Sequence, residues 1–272
     1  PCIPAPKSST KKPESCNPIP TASFRKDAAG QSAGHGPEEK NMSIGNRVYV
    51  KRRLPDASIV EAFRKLAAAP VADCMGRLSA MHPEIRLMSP RTGRRMVGVA
   101  LTVKSRSGDN LMIHKALNMA QPGDVIVVGT SGDRSRAVMG EVMFSYAKFK
   151  KLEGLVIDAP IRDVDCLEEL GLPVYATGTT PGGPYKEGPG EINVPISCGG
   201  VSIHPGDIIL ADSDGIIVIP SADAAELLGI AQAFAAKDDA KTSAALNGTC
   251  DRSWVDKALE AKKCEIIDDY YL

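Results

Sequence analysis

The sequence predicts an α/β fold: one domain built on a mixed sheet flanked by helices, with a disordered leader before it and a helical tail after it. Three observations predict this. From about residue 55 onward, short apolar runs suited to buried strands alternate with segments of helical period. Residues 192–219 then hold several short β runs and few helix signals, and a long helical pattern follows them. The expected boundaries are a leader over 1–45, a domain over 46–248 and a tail over 249–272.

The leader contains Pro1, Pro4, Pro6, Pro13, Pro18, Pro20 and Pro37 in a stretch rich in Ser, Lys and Gly. Such a segment cannot bury enough apolar surface to offset its ordering entropy. Met42 could serve as a start residue, and Arg25 is the only arginine before Arg47, which argues against a transit peptide.

Within the domain, Pro55-Asp56-Ala57-Ser58 is a helix-start signal, followed at helical spacing by Ile59, Val60, Phe63 and Leu66. Residues 97–103 read as a strand, and Asp109-Asn110 as the cap of a helix reaching about Met119. Gln121-Pro122-Gly123-Asp124 turns into an apolar strand over 125–128. A helix is expected over 140–152, a buried strand over 155–157, a short helix over 164–170 and a strand over 173–175. Ser221 is the expected cap of a helix over 222–245. Pro205-Gly206-Asp207 repeats Pro122-Gly123-Asp124 ahead of a second apolar run. The repeat fits two related strand entries in one sheet, or a common turn used twice.

Bulk composition removes several function classes. The 272 residues are 43% hydrophobic and 24% charged, and 33 Lys plus Arg balance 33 Asp plus Glu. That balance lacks the electrostatic footprint of a nucleic-acid or membrane-surface binder, and aromatic content of 4% gives little base-stacking surface. No apolar run approaches the roughly 20 residues a bilayer span needs. The seven cysteines are scattered without a C-x-x-C pair, which fits a reduced, cytoplasmic setting. G-x-G-x-x-G, P-loop, H-E-x-x-H and G-x-S-x-G motifs are absent. His35, His82, His114 and His204 stand apart in sequence, and His114 has the best functional claim because of the helix that carries it. Lys148, Lys150 and Lys151 read as a solvated helix end.

The informative segment runs over residues 139–165. Gly140 permits close backbone approach, and the helix after it exposes N–H groups, notably those of Val142 and Met143, that suit a carboxylate. Arg162-Asp163 then emerge past the carboxyl end of a buried strand, where open α/β sheets place ligands. An arginine for an anionic or carbonyl oxygen and adjacent acids for a hard cation form a coherent set.

Gly140-Glu141, twenty intervening residues and Arg162-Asp163 together resemble the motif of the RraA-like superfamily, which includes class II pyruvate aldolases acting on 4-hydroxy-4-methyl-2-oxoglutarate. The likeness runs over roughly 58–245. It takes in Gln121-Pro122-Gly123-Asp124-Val125, Glu169-Leu170-Gly171-Leu172-Pro173-Val174, the run from Gly188 to Pro195, and Asp212-Ser213-Asp214-Gly215. Pro184-Tyr185-Lys186-Glu187 resembles a subset of the family, whereas Ala159-Pro160-Ile161 stands where Gly-Ala-Val is common.

The resemblance implies a swivelling β/β/α-type domain and a trimer or hexamer with sites between subunits. It implies that Asp163 binds Mg²⁺ or Mn²⁺, that Glu141 holds water on that metal, and that Arg162 contacts the oxo or enolate oxygen of a small 2-oxo acid. Backbone N–H groups at Val142 and Met143 would take the substrate carboxylate. Asp239, or Asp238, would come from a neighbouring subunit's C-terminal helix. The implied activity is cleavage of a 4-hydroxy-2-oxo acid to pyruvate, with oxaloacetate decarboxylation beside it. Some members instead inhibit an RNA-degrading endonuclease by contact, so a non-catalytic regulator of a ribonuclease is the alternative; those members tend to lack the aspartate that Asp163 supplies. A quinone methyltransferase would need a glycine-rich nucleotide loop, and a phosphohistidine domain a Thr-x-His motif. Neither is found.

Overall fold

The computed structural model describes residues 43–271 apart from Thr92, so nearly all of the expected leader lies outside the described residues. An edge strand β1 (Arg47–Val48) leads to helices α1 (Ala57–Phe63) and α2 (Ala68–Cys74) and a second edge strand β2 (Arg86–Leu87). The Asp56 carboxylate caps α1 by accepting the Ser58 N–H at 2.7 Å. α2 has no side-chain cap from its own N-cap residue; the Ala68 N–H donates instead to Asp212, 144 residues away.

Strands and helices then alternate as the sequence predicts. They are β3 (Met96–Ser105), α3 (Leu111–Met119), β4 (Asp124–Gly129), α4 (Glu141–Phe149), β5 (Gly154–Ile161), α5 (Cys166–Leu170) and β6 (Val174–Thr179). The second half supplies β7 (Gly190–Ile192), β8 (Ile196–Cys198), β9 (Val201–Ile203), β10 (Ile208–Ala211) and β11 (Ile216–Ile219). Helices α6 (Ala224–Leu246) and α7 (Ser253–Ala261) close the chain.

β3, β4, β5 and β6 lie side by side and parallel, each joined to the next through a helix. One edge of β3 pairs with β4. Its other edge is shared: β10 runs antiparallel along Met96 to Val99, and β7 antiparallel along Val103 to Ser105. That sharing makes the sheet mixed. Side chains alternate across β3 with period two. Leu101 and Val103 pack with α3 and α4, Val97 with α1, α2 and α6, and Met96 and Ala100 with the β8–β9 hairpin on the opposite face.

The two Pro-Gly-Asp turns are structural equivalents. Asp124 accepts the Gln121 N–H at 2.8 Å and Asp207 the His204 N–H at 2.7 Å, so each carboxylate locks its own turn. Gly123 and Gly206 adopt φ of +87° and +97°, a region that favours glycine. The turns feed β4 and β10, the two strands on opposite edges of β3.

Several boundaries differ from expectation. The helix over 140–152 ends at Phe149, because Lys151 turns left-handed (φ 58°) and the Leu152 N–H returns to the Ala147 carbonyl. The strand over 155–157 continues to Ile161 through Pro160. A register shift between Ile157 and Pro160 makes room for a residue with no N–H to donate. Ser221 does not cap the long helix; its N–H goes to Asp207 at 3.1 Å, and α6 begins at Ala224.

Asp207 therefore holds both the entry to β10 and the approach to α6 while 4% exposed. Asp207→Ala removes the acceptor of the His204 and Ser221 N–H groups and is expected to lower unfolding free energy by about 1–3 kcal/mol in urea titration.

Candidate functional site

The exit of β5 crosses the entry of α4, and that crossing assembles the predicted residues. The Arg162 N–H donates to the Met139 carbonyl at 3.0 Å, and the Val138 N–H to the Pro160 carbonyl at 3.0 Å. These two bonds hold residues 138–140 beside residues 160–162. Gly140 has φ −152°, extended backbone open to any residue. Its need for hydrogen in place of a side chain is spatial: a β-carbon would lie 2.5 Å from Asp163 Oδ2 and 3.0 Å from Arg162 Cγ.

Asp163 stands in the left-handed region at φ 56°, which costs a non-glycine residue free energy but is tolerated best by Asp and Asn. Its Oδ2 accepts the Glu141 N–H at 3.3 Å and lies 3.4 Å from Arg162 Nε. The carboxylate thus sits at the positive end of α4, beside a guanidinium. The Cys166 thiol donates to the Asp163 carbonyl at 3.0 Å. Burial, with Glu141 and Asp163 close by, pushes that thiol's pKa up and keeps it a donor.

Around this pair opens a cleft walled by Gly140, Val142, Met143, Arg162 and Asp163, all predicted from sequence. Glu141 is exposed next to it. One detail differs from the expectation of two free N–H groups: the Met143 N–H already donates to the Gly140 carbonyl at 2.9 Å. Asp239 and Asp238 stand on α6 and are not among the residues lining this cleft. A role for either there requires a second copy of the chain.

The structure adds Asn110, His114 and Lys186 to the cleft. Asn110 is 3% exposed; its Nδ2 donates to the Val138 carbonyl at 3.0 Å, and its Oδ1 has no partner among the described residues. Burial, with the Lys186 ammonium nearby, lowers the His114 pKa and favours the neutral imidazole. Asp109 holds these additions together. It is fully buried, and its carboxylate accepts N–H groups from Leu111 at 2.9 Å, Glu187 at 2.6 Å and Gly188 at 2.9 Å. The Asn110 N–H donates to the Tyr185 carbonyl at 3.0 Å, so the strap bearing Lys186 is buttoned to the start of α3. The sequence signals for this were His114, the histidine with the best functional claim, the Asp109-Asn110 cap and the Pro184-Tyr185-Lys186-Glu187 run.

No group of three or more His, Cys, Asp or Glu side chains among the described residues is placed to hold a metal ion. One chain offers Asp163 with Glu141 beside it, both acidic oxygen donors. That set fits a hard cation that keeps much of its water or takes a further ligand from a second chain, and does not fit a closed thiolate or histidine cage.

A mixed sheet with an arginine–aspartate pair at a strand's carboxyl end defines an α/β protein with an open, acid-and-cation cleft. The chain belongs to the RraA-like family (Aldolase/RraA), whose model matches residues 57–218. A protein of Halalkalibacterium halodurans, provisionally named 4-hydroxy-4-methyl-2-oxoglutarate aldolase, is 38% identical over 189 residues, covering 70% of this chain and 89% of that one. An uncharacterized protein of Pseudomonas syringae pv. tomato superposes with a TM-score of 0.64 at 26% identity, covering 72% of this chain and 96% of the other. Streptomyces coelicolor RraAS2, described as an unusual member of the RNase ES inhibitor RraA family, gives 0.61 at 28% identity, covering 71% and 98%.

Asp109→Ala should free the strap without melting the sheet. Hydrogen exchange at the Glu187 and Gly188 amides is expected to quicken by about tenfold or more, while amides of β4 and β5 keep their protection.

Proposed function

We propose that this chain is a divalent-metal-dependent lyase that cleaves 4-hydroxy-4-methyl-2-oxoglutarate, or a related 4-hydroxy-2-oxo acid, to pyruvate through an enolate. It also decarboxylates oxaloacetate. The observation that carries the reading is Asp163 beside Arg162 against Gly140, in a cleft also reached by the α4 N-terminus. Asp163, with Glu141, would hold Mg²⁺ or Mn²⁺, and the cation when bound supplies a Lewis acid for charge on the oxo oxygen.

The chain's own groups do the rest. The Val142 N–H, at the positive end of α4, receives the substrate carboxylate and fixes its orientation. The C4 hydroxyl of the substrate loses its proton and the C3–C4 bond breaks. Its electron pair moves to C3, leaving one oxo acid and the pyruvate enolate. Arg162 faces the enolate oxygen, where its charge and N–H groups stabilise what develops in the transition state. Glu141, exposed at the mouth, holds a water that relays the proton. Loss of CO₂ from oxaloacetate leaves the same enolate, so one set of residues serves both reactions. Sites completed by Asp239 or Asp238 of a second copy, in a trimer or hexamer, belong to this proposal.

The likeness to RraAS2 supports a second reading, a regulator that acts on a ribonuclease by contact. The Asp163 carboxylate, held in a left-handed turn, favours the lyase.

Pyruvate release from both acids, followed with and without EDTA, tests the proposal. Activity is expected only with Mg²⁺ or Mn²⁺, and Asp163→Ala or Arg162→Ala is expected to lower it by about a hundredfold or more. Activity indifferent to EDTA and to both substitutions sinks it.

A further inference from the structure

The Arg162 side chain runs between two residues that lack side chains. At Gly140 a β-carbon would lie 3.0 Å from Arg162 Cγ and 3.2 Å from its Nε; at Gly183 one would lie 3.3 Å from Nη1. The stem thus passes residue 140 and the tip rests against residue 183. Beyond Asp163, 3.4 Å from Nε, the guanidinium has no hydrogen-bond or ion-pair partner among the described residues. Packing against backbone therefore decides where the tip points.

The grip on residue 183 comes from the loop that leads into α4. The Ala137 N–H donates to the Gly182 carbonyl at 2.8 Å, and Arg136 Nη1 to the Gly183 carbonyl at 2.9 Å. Arg136 Nη2 donates to the Tyr185 hydroxyl at 2.8 Å, and the Arg136 Cζ lies 4.2 Å from the centre of that ring. One planar fork thus holds residues 183 and 185 together, which an ammonium could not do. Gly108 leaves space for it, since a β-carbon there would lie 3.0 Å from Arg136 Cδ. The Arg136 guanidinium engages a carbonyl, a hydroxyl and a ring, and no carboxylate among the described residues. The same loop binds the exit of β5 through Val138 and Met139, so residues 136–139 hold Arg162 at its backbone and, through the strap, at its tip.

We propose that Arg136 is a positioning residue for Arg162. It seats residues 183–185 against the guanidinium tip and so fixes the direction in which Arg162 meets the enolate oxygen; the proposal rests on that role of Arg162. Arg136 itself does not line the cleft. Charge on the oxygen develops in the transition state, so a misdirected Arg162 costs turnover more than substrate binding.

Kinetics and a structure of the full chain together test this. Arg136→Ala is expected to lower kcat for pyruvate release from oxaloacetate by about tenfold or more, while KM changes less than about threefold. Arg136→Lys keeps the charge without the fork and is expected to lose as much. Gly183→Ala, which presses on the tip with Arg136 in place, should show the same split between kcat and KM. In an Arg162→Ala background, Arg136→Ala should lower kcat further by less than about twofold, because both changes act through one group. In a crystal structure of Arg136→Ala, residues 183–185 are expected to draw back and Arg162 Cζ to shift by about 1 Å, with the sheet unchanged. An Arg162 that stays in place, full activity in Arg136→Lys, or losses that multiply in the double variant overturn the proposal. Should the unaltered protein neither release pyruvate nor exchange its C3 protons, the lyase reading falls, and the crystal structure alone decides whether Arg136 positions Arg162.

Discussion

A β-carbon at residue 140 would meet Asp163 Oδ2 at 2.5 Å and Arg162 Cγ at 3.0 Å, so the crossing of β5 over the start of α4 depends on a missing side chain. Because the glycine is extended, the requirement is one of space alone. Close approach lets the Glu141 N–H reach the Asp163 carboxylate. It also seats the Arg162 backbone on the Met139 carbonyl. The helix dipole, the guanidinium and the carboxylate come within one another's reach through that single contact. Remove it, and the cleft loses the placement of its charges even if the sheet survives.

The sheet supports this from a distance. β3 is contacted along one edge by β4 and along the other by β10 and β7 in succession, so both strands launched by Pro-Gly-Asp turns register against it. β4 in turn aligns β5, whose bulge before Pro160 directs Arg162 and Asp163 into the cleft. On the far wall the buried Asp109 carboxylate binds three N–H groups from α3 and the Lys186 strap. Three N–H donors satisfy this fully buried side chain, and through them it fixes two segments that sequence separates. The cleft therefore has an anionic–cationic corner facing a wall of Asn110, His114 and Lys186.

The fold was largely legible, because its signals are local. Continuous apolar runs marked β3 and β4, Asp56 marked the start of α1, and the repeated turn fitted two strand entries of one sheet as well as a common turn used twice. What escaped is non-local. The N–H at the start of α2 is satisfied by Asp212, far along the chain, and the two-residue strands β1 and β2 exist only because an edge is free to pair with them. The site divides in the same way. Gly140, Glu141, Arg162 and Asp163 were legible from spacing and family likeness together. Asn110 and Lys186 join them through a buried aspartate whose sequence context looks like an ordinary helix start. The engagement of the Met143 N–H within the first turn of α4 could not be read from residue types at all.

The central claim is that this cleft stabilises the enolate of pyruvate, and exchange of pyruvate's methyl protons in D₂O reads that step without any bond cleavage. With Mg²⁺ present, the protein is predicted to replace C3 protons by deuterium, followed by proton NMR, at a rate that falls by about a hundredfold or more in Arg162→Ala. EDTA should abolish the exchange. Exchange no faster than in buffer with Mg²⁺, or a full rate retained by both Arg162→Ala and Asp163→Ala, would contradict the account.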